Sequence, residues 1–349
     1  MAVQFSILMP VYNIQKYLRQ TVDSLLSQDF RDFEVVIVDD GSTDATPQIL
    51  ESYGAQIRFC RQANTGAEFA RNKAASLAQG EYLVMMDHDD VLLPCALSTY
   101  DRIIRAFGSP ALIIGAMAYF QDGQTVPPGA PSPGPVKVLK YENFLAKDVE
   151  VGITNSRIVI RKSVFDAIGG YGNGGEPAFP SDDFNLIFKA GADGPCIVVQ
   201  EPTTVVRRMH ETNFVRDVGA VIGGIFGLIR FDRQGRYPAG SSQRLGRYAI
   251  IGGFSAVWAL NYCWRKKHRW QAIRMLLGTA PMVAVAVWRR FLRTLRTPTQ
   301  PIFLQDEPQQ TKSVPMASVS GAKKRLAEES ASEYDVEGGT WQHSSEKHG

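Results

Sequence analysis

Phe33-Glu34-Val35-Val36-Ile37-Val38 runs directly into Asp39-Asp40-Gly41-Ser42-Thr43-Asp44. The first six residues read as a strand, and Asp, Gly and Ser then turn the chain sharply. Asp44 suits capping of the next helix. Two adjacent acids directly at a strand end are harder to explain as caps. The same pattern recurs at Tyr82–Met86, an apolar strand that stops on Asp87-His88-Asp89-Asp90. Around these two runs the chain alternates. Phe5–Met9 reads as a first strand and Tyr17–Leu26 as a helix. Thr46–Tyr53 is a second helix with Pro47 in its first turn, Ile57–Cys60 a third strand, and Ala67–Ala78 a helix stopping at Gly80. This β-α-β-α-β-α-β order predicts an α/β fold, an open and mostly parallel sheet flanked by helices. Ligands bind such sheets beyond the carboxyl ends of the strands, where both acidic runs lie.

Further strands are expected at Ala111–Tyr119, Val159–Ile160 and Ile197–Val199, and helices at Val164–Ile168 and Asp183–Ala190. Gln121–Pro135, rich in proline and glycine, is expected to be a loop. From Val218 the character changes. Val218–Ile229, Ala249–Cys263 and Met275–Trp288 are apolar runs, each shorter than the ~18–20 residues of a membrane span, and Pro281 interrupts the last. Between Gln243 and Arg296 stand eleven Lys/Arg and no Asp/Glu. Three readings stay open for this segment: a helical subdomain packed on the first domain, a helix pair lying on a membrane surface, or a span. The tail after Pro298 has few large apolar residues and reads as disordered. The expected organisation is 1–215 for the chemistry, 216–297 for the basic apolar helices and 298–349 for the tail.

The 349 residues allow one large domain plus extra material, and the net charge of +3 divides into an acidic front and a basic segment. The four cysteines are far apart and form no CxxC pair, which argues against a zinc site or disulfide scaffold and suits a reducing, cytoplasmic compartment. The N-terminal apolar run lacks a basic flank and ends at Pro10, so it is read as a strand, not a signal peptide.

Asp87-His88-Asp89 offers two carboxylates with one residue between them at a strand end. Such a pair can hold a divalent cation, and hard oxygen ligands suit Mg²⁺ or Mn²⁺ rather than zinc. A cation there would neutralise charge developing on a diphosphate leaving group. A bare DxD arises often by chance; its position, and the second acid pair after an earlier strand, raise it above that. Gly170-Tyr171-Gly172-Asn173-Gly174-Gly175 satisfies GxGxxG but follows a helix, so the dinucleotide reading lacks its context. Gln243-Arg244-Leu245-Gly246-Arg247-Tyr248 is a near miss, with the wrong spacing, to the QxxRW of processive polysaccharide synthases.

Pro10-Val11-Tyr12-Asn13, Val38–Asp44, Asn64-Thr65-Gly66 with Ala70-Arg71-Asn72, Met86–Asp90, Arg161–Phe165 to Gly169-Gly170-Tyr171, and Ser181-Asp182-Asp183-Phe184-Asn185-Leu186 follow in order. Together they resemble a family 2 glycosyltransferase of the GT-A fold over about residues 4–212. The resemblance implies a nucleotide-sugar donor, a UDP-sugar above all. It implies inverting, metal-dependent transfer of one sugar to a glycan, lipid-linked or protein acceptor, in cell-surface polysaccharide or glycoconjugate assembly. Pro10, Val11 and Tyr12 would line the base as a turn, Asp40 would contact uracil with Asp39 beside it, and Asn64 and Arg71 would border the nucleotide. For Arg71 a structural ion pair is an equal alternative. Asp87 would hold the ribose side, and Asp89 and His210 the metal. Asp183 matches the catalytic base, which takes the acceptor proton as the hydroxyl attacks. One base suffices, unlike the two carboxylates of a retaining glycosidase. Asp182 stands where Glu is usual, which puts its acceptor contact in question. Arg207 or Arg208 is a candidate for phosphate. The rival reading is a nucleotide-sugar-binding member without catalysis. No nucleic-acid partner is expected, while the inner face of the plasma membrane is an open one.

Overall fold

Successive side chains of a strand point to opposite faces, and the first strands use both faces for core. Leu8, Val36, Val38, Leu83 and Met85 join one buried cluster; Phe5, Ile7, Met9, Val35, Ile37, Tyr82 and Val84 join another. A sheet apolar on both sides needs cover on both sides. The computed structural model describes residues 3–127, 134–146, 152–172, 182–210, 217–238, 241–260, 268–295 and 299–304, all within one compact unit, Met1–Asp306. Strands β1 (Phe5–Val11), β2 (Phe33–Asp39), β3 (Arg58–Arg61) and β4 (Tyr82–Met85) pair in parallel in the order β3-β2-β1-β4. Helices α1 (Leu18–Leu26), α2 (Thr46–Glu51) and α3 (Ala67–Leu77) connect them. Ala70, Ala74 and Ala75 of α3 cover one face; Leu18, Val22 and Leu25 of α1 cover the other.

Beyond β4 the sheet is mixed. Its further elements are β5 (Val91–Leu92), α4 (Ala96–Phe107), β6 (Leu112–Gln121), β7 (Val136–Tyr141), β8 (Ile158–Arg161), α5 (Lys162–Ala167), α6 (Asp182–Ala190) and β9 (Cys196–Met209). The full order is β10-β7-β9-β6-β8-β4-β1-β2-β3, with β5 on β9 and β10 (Ile302–Leu304) at the edge. β8 runs antiparallel to both β4 and β6, and β7 antiparallel to β9, while β6 and β9 are parallel. The sheet is thus wholly parallel over β3-β2-β1-β4, where helical crossovers join the strands, and mixed beyond it, with β6 and β9 as a further parallel pair. Helix α4 was not expected, although Leu97, Tyr100, Ile103 and Ile104 recur at helical spacing and are buried.

Three expectations are corrected. Pro10 and Val11 belong to buried β1, and the chain leaves the strand only at exposed Tyr12. Pro at the end of a strand gives up one N–H without breaking the pairing that precedes it. Ile302–Leu304, placed in the disordered tail, pairs with Val136–Val138 of β7, and Arg102 Nη2 donates to Leu304 O at 3.1 Å. Residues 305–349 lie outside the described set, as do Asn173–Ser181, Cys263 and Arg265–Lys267. Finally, Pro281 does not interrupt its run.

Helices α7 (Val218–Arg233), α8 (Ser241–Trp258) and α9 (Arg269–Thr294) follow the sheet. Val221, Ile225, Leu228, Ile251, Met275 and Met282 share the cluster that contains Leu8 and Val36, so these helices pack on the α3 side. α9 is one continuous helix of 26 residues with Pro281 inside it, the single described helix long and apolar enough to cross a membrane. A mid-helix proline costs ~3 kcal/mol. The burial of Ala272, Met275, Thr279 and Met282 on α9's inner face offsets it. The near-miss motif has a structural use. Arg247 Nε and Arg244 Nε donate to buried Asp232 of α7 at 2.8 and 3.1 Å, tying α8 to α7.

Removing one partner from a buried ion pair strands the other charge. Asp232→Ala, which leaves Arg247 buried and unpaired, is expected to lower unfolding free energy by about 3–5 kcal/mol in urea titration. Arg244→Ala, at a half-exposed side chain, should cost under about 1 kcal/mol.

Candidate active site

The two acidic runs emerge side by side because β1 is hydrogen-bonded to both β2 and β4. At the β2 end Asp39 is fully buried. Its Oδ1 accepts from Ser42 N at 3.0 Å, while Oδ2 lies 3.1 Å from Arg61 Nε as an ion pair outside hydrogen-bond geometry. Asp40 is nearly as buried, and its carboxylate organises the loop before α3. Oδ1 accepts from Thr65 N and Gln62 Nε2, and Oδ2 from Gly66 N at 2.7 Å. Gly41 (φ 83°) carries the chain past this loop, where a Cβ would come within 2.9 Å of Asn64 N. Asn64 itself is exposed. Asn13 joins this turn to β1, with its N donating to Ser42 Oγ and its Oδ1 accepting from Thr43 N. Asp44 Oδ1 accepts from Thr46 N, a contact within the turn before α2, whose N-cap is Ala45 rather than the expected Asp44.

At the β4 end the acids divide their work. Asp87 Oδ1 accepts from Arg71 Nη2 at 2.7 Å, and Oδ2 from Thr154 Oγ1 at 3.3 Å. Asp89 Oδ2 lies 2.7 Å from His210 Nε2, which stacks 5.1 Å from the Tyr17 ring. Asp90 is buried beneath them and accepts from Ser156 Oγ at 2.6 Å and Arg208 N at 3.1 Å. Burial, and then the charges of Asp89 and Asp87, push its carboxyl well above the usual carboxylate range. Ser156 also accepts from Asp87 N at 3.0 Å, so one hydroxyl joins both ends of the acidic loop. Arg208 is buried between the Tyr17 and Phe120 rings and donates to Asp89 O, which makes it a brace for the loop.

The third element is α6. Arg71 of α3, almost fully buried, reaches Asp182 Oδ2 with Nη1 while Nη2 holds Asp87. One guanidinium thus spans the end of β4 and the first turn of α6. Burial works against its charge, but Asp182 and Asp87 together hold it protonated. Asp183 follows at the helix start, its Oδ1 accepting from Phe184 N at 2.7 Å. Burial, then the Asp182 and Asp87 charges, push its carboxyl up to about 8. The Tyr171 ring lies 5.3 Å from the Arg71 guanidinium, and its hydroxyl donates to Asn155 Oδ1. Lys189 of α6 donates to Gly170 O and Gly172 O, and burial lowers its pKa to about 8. Glu68 lies buried nearby, pushed up to about 6 by burial and then by Asp182.

Of the residues singled out from sequence, Asp87, Asp182, Asp183 and Arg71 come together in one cluster, with Asp89 and His210 paired beside it. Pro10, Val11, Asp39 and Asp40 lie on the neighbouring strand ends. Thr154-Asn155-Ser156 was missed entirely. A run of small polar residues reads as loop, and nothing in it announces that it underlies an acidic turn. Among the described residues no group of three His, Cys, Asp or Glu forms a ready metal cage. The Asp89 carboxylate is a hard oxygen donor that suits Mg²⁺ or Mn²⁺, ions that commonly keep positions for phosphate and water, and His210 Nε2 beside it is a nitrogen donor, which suits Mg²⁺ less well.

Residues 6–169 match the family described as Glycosyl transferase family 2. This chain carries a family 2 glycosyltransferase domain. Chondroitin synthase of Escherichia coli is 44% identical over 95 residues, 26% of this chain and 14% of that one. The chain spans about a third or less of the length of the curated relatives it matches. Among solved structures it resembles Staphylococcus aureus TarS 1-349 in complex with UDP-GlcNAc, with TM-score 0.55, 17% identity, and 84% and 90% of the two chains covered. It also resembles the mannosyltransferase PcManGT of Pyrobaculum calidifontis in complex with GDP-Man and Mn²⁺, with TM-score 0.50, 18% identity, and 84% and 81% covered. These likenesses establish the GT-A fold.

Ser156→Ala removes the hydroxyl shared by Asp87 N and Asp90. It should lower unfolding free energy by about 1–3 kcal/mol, the cost of leaving buried polar groups without a partner, as read by chemical denaturation.

Proposed function

We propose that the chain transfers a single sugar, with inversion, from a nucleotide-sugar to an acceptor hydroxyl. The observation that carries this reading is the Arg71 bridge, which draws Asp87 and the Asp182-Asp183 pair to one place. UDP-GlcNAc bound to TarS and GDP-Man bound to PcManGT support the donor class, and a UDP-sugar is the donor we favour. In this reading Tyr12 and Asn64 receive the nucleoside, the buried Pro10, Val11, Asp39 and Asp40 hold the strand ends and turns that carry them, and Asp87 and Arg71 border the ribose and diphosphate. Asp89 and His210 would hold Mg²⁺ or Mn²⁺, which supplies positive charge to the leaving diphosphate.

Asp183 accepts the proton of the acceptor hydroxyl. The hydroxyl oxygen forms its bond to the anomeric carbon on the face opposite the diphosphate. The bond between that carbon and the diphosphate oxygen breaks, and its electron pair leaves with the nucleoside diphosphate. Asp182 lies beside the base to contact the acceptor. Burial of Asp183 serves this role, because a raised pKa makes the carboxylate a stronger base than a solvated one. The acceptor is a glycan, a lipid-linked sugar or a protein, in cell-surface polysaccharide or glycoconjugate assembly on the cytoplasmic side, where nucleotide-sugars are available. A chain that binds the donor without transfer is the rival.

Asp183→Asn separates the two. It should keep Mn²⁺-dependent donor binding and lose about 10²–10⁴-fold in nucleoside diphosphate release in the presence of acceptor. Wild-type release no faster than the protein-free background would leave only the binding reading, and a variant that turns over as fast as wild type would remove Asp183 as the base. The base must be deprotonated, and its folded pKa is raised, so activity is lost as pH falls through that value. The profile of kcat/KM for the donor, which reports the free enzyme, should rise to a midpoint near 8.

A further inference from the structure

Helix α9 has two apolar faces, and only one of them is used. Ala272, Met275, Thr279 and Met282, spaced three, four and three residues apart, are buried. Trp270, Ile273, Leu277, Trp288, Phe291 and Leu295 are all exposed and are spaced three, four, eleven, three and four apart. At 3.6 residues per turn each set forms one stripe, and an offset of two residues places the stripes on opposite sides of the helix. Exposure of the outer stripe is high: Trp270 81%, Leu277 74% and Leu295 69%. Scattered exposed apolar residues are ordinary, but six on one stripe of one helix mark an interaction surface.

The inner face is committed to the rest of the molecule along its length. α8 presses so closely that a Cβ on Gly252 would fall 2.0 Å from Met282 O. Near the other end Arg289 Nη1 donates to Leu145 O at 3.2 Å, and the Phe226 ring of α7 packs over Gly278. A helix held this way cannot stand alone across ~30 Å of hydrocarbon without carrying the domain's charged elements with it. A second copy of the chain fits poorly as well. A two-fold contact would place this segment against itself, and residues 265–296 hold nine Lys/Arg and no Asp/Glu. That charge pattern complements an anionic surface, and Trp270 at the start of the stripe with Trp288 and Phe291 in its second half suit the boundary between headgroups and acyl chains.

We propose that α9 lies flat on an anionic bilayer, its Trp270–Leu295 stripe inserted at the headgroup boundary and its inner face holding the domain. Phe254 of α8 packs 5.3 Å from Phe184, the residue after Asp183, so the docked helices are coupled to the acceptor end of the cleft. That coupling, which rests on the transferase reading, favours an acceptor carried on the same membrane.

The test uses the full chain and vesicles of phosphatidylcholine with or without phosphatidylglycerol. Wild type should sediment with the mixed vesicles and bind pure phosphatidylcholine at least about tenfold more weakly. Leu277→Glu combined with Trp288→Glu should weaken binding to the mixed vesicles by about tenfold or more. Both sites are exposed, so the thermal melt and Mn²⁺-dependent donor hydrolysis should stay at wild-type values. Wild type left in the supernatant, or a double variant that sediments equally well, overturns the proposal. So does a dimer in analytical ultracentrifugation that the double variant dissociates, which would make a second copy the occupant. Sedimentation by a chain that hydrolyses no donor would keep this inference and remove the transferase reading instead.

Discussion

A single buried cation sets the geometry of the acidic cleft. The Arg71 guanidinium contacts Asp87 at the end of β4 and Asp182 at the start of α6, residues far apart in the chain. Without a cation between them these carboxylates would repel one another in a partly dry site, where charge interactions are stronger than in water. Arg71 comes from α3, whose alanines Ala70, Ala74 and Ala75 pack tightly on the sheet and fix the height at which its side chain emerges. Tertiary packing therefore positions the charge, and the charge lets the acids converge. Arginine suits the place because its planar fork can serve two carboxylates at once.

Beneath this cluster a second set of polar contacts holds Asp87 and Asp89 in register. Asp90, Ser156 and the Arg208 backbone form a buried chain that anchors the turn after β4, leaving Asp87 and Asp89 to face the cleft. Asp40 does the same for the loop between β3 and α3. Acids that look equivalent in the sequence thus divide into those that build the site and those offered to a ligand. Burial distinguishes them: Asp40 and Asp90 are almost inaccessible, while Asp87, Asp182 and Asp183 keep partial access.

Much of the first half of the fold was legible, because βαβ units state their period and their turns plainly. Strands β1 to β4 and the acids at their ends follow from alternating apolar runs and from Asp-Gly-Ser chemistry. Helix α4 was equally legible and was overlooked. β7 and β10 were not legible: the first follows a proline- and glycine-rich stretch, and the second is three residues long in a polar tail, so only pairing partners distant in sequence define them. α9 was underestimated for a similar reason. Local proline chemistry argues for a break that packing on α8 overrides. At the site, motif order identified the acids but left open whether Arg71 borders a nucleotide or makes an ion pair. It makes the ion pair, a contact that no spacing rule announces. Thr154-Asn155-Ser156 was invisible because hydroxyls acquire meaning only from what folds over them.

The account depends on one cleft holding the cation and the incoming hydroxyl on opposite sides of a bound sugar. Its most direct measurement is a crystal structure of the chain with a UDP-sugar and Mn²⁺, using the anomalous signal to locate the metal. The account predicts manganese on the Asp89 side chain and the diphosphate, with the Asp183 carboxylate facing the open side of the anomeric carbon. Manganese bound away from Asp89, or a donor whose anomeric carbon is screened from Asp183 by the protein, would contradict it.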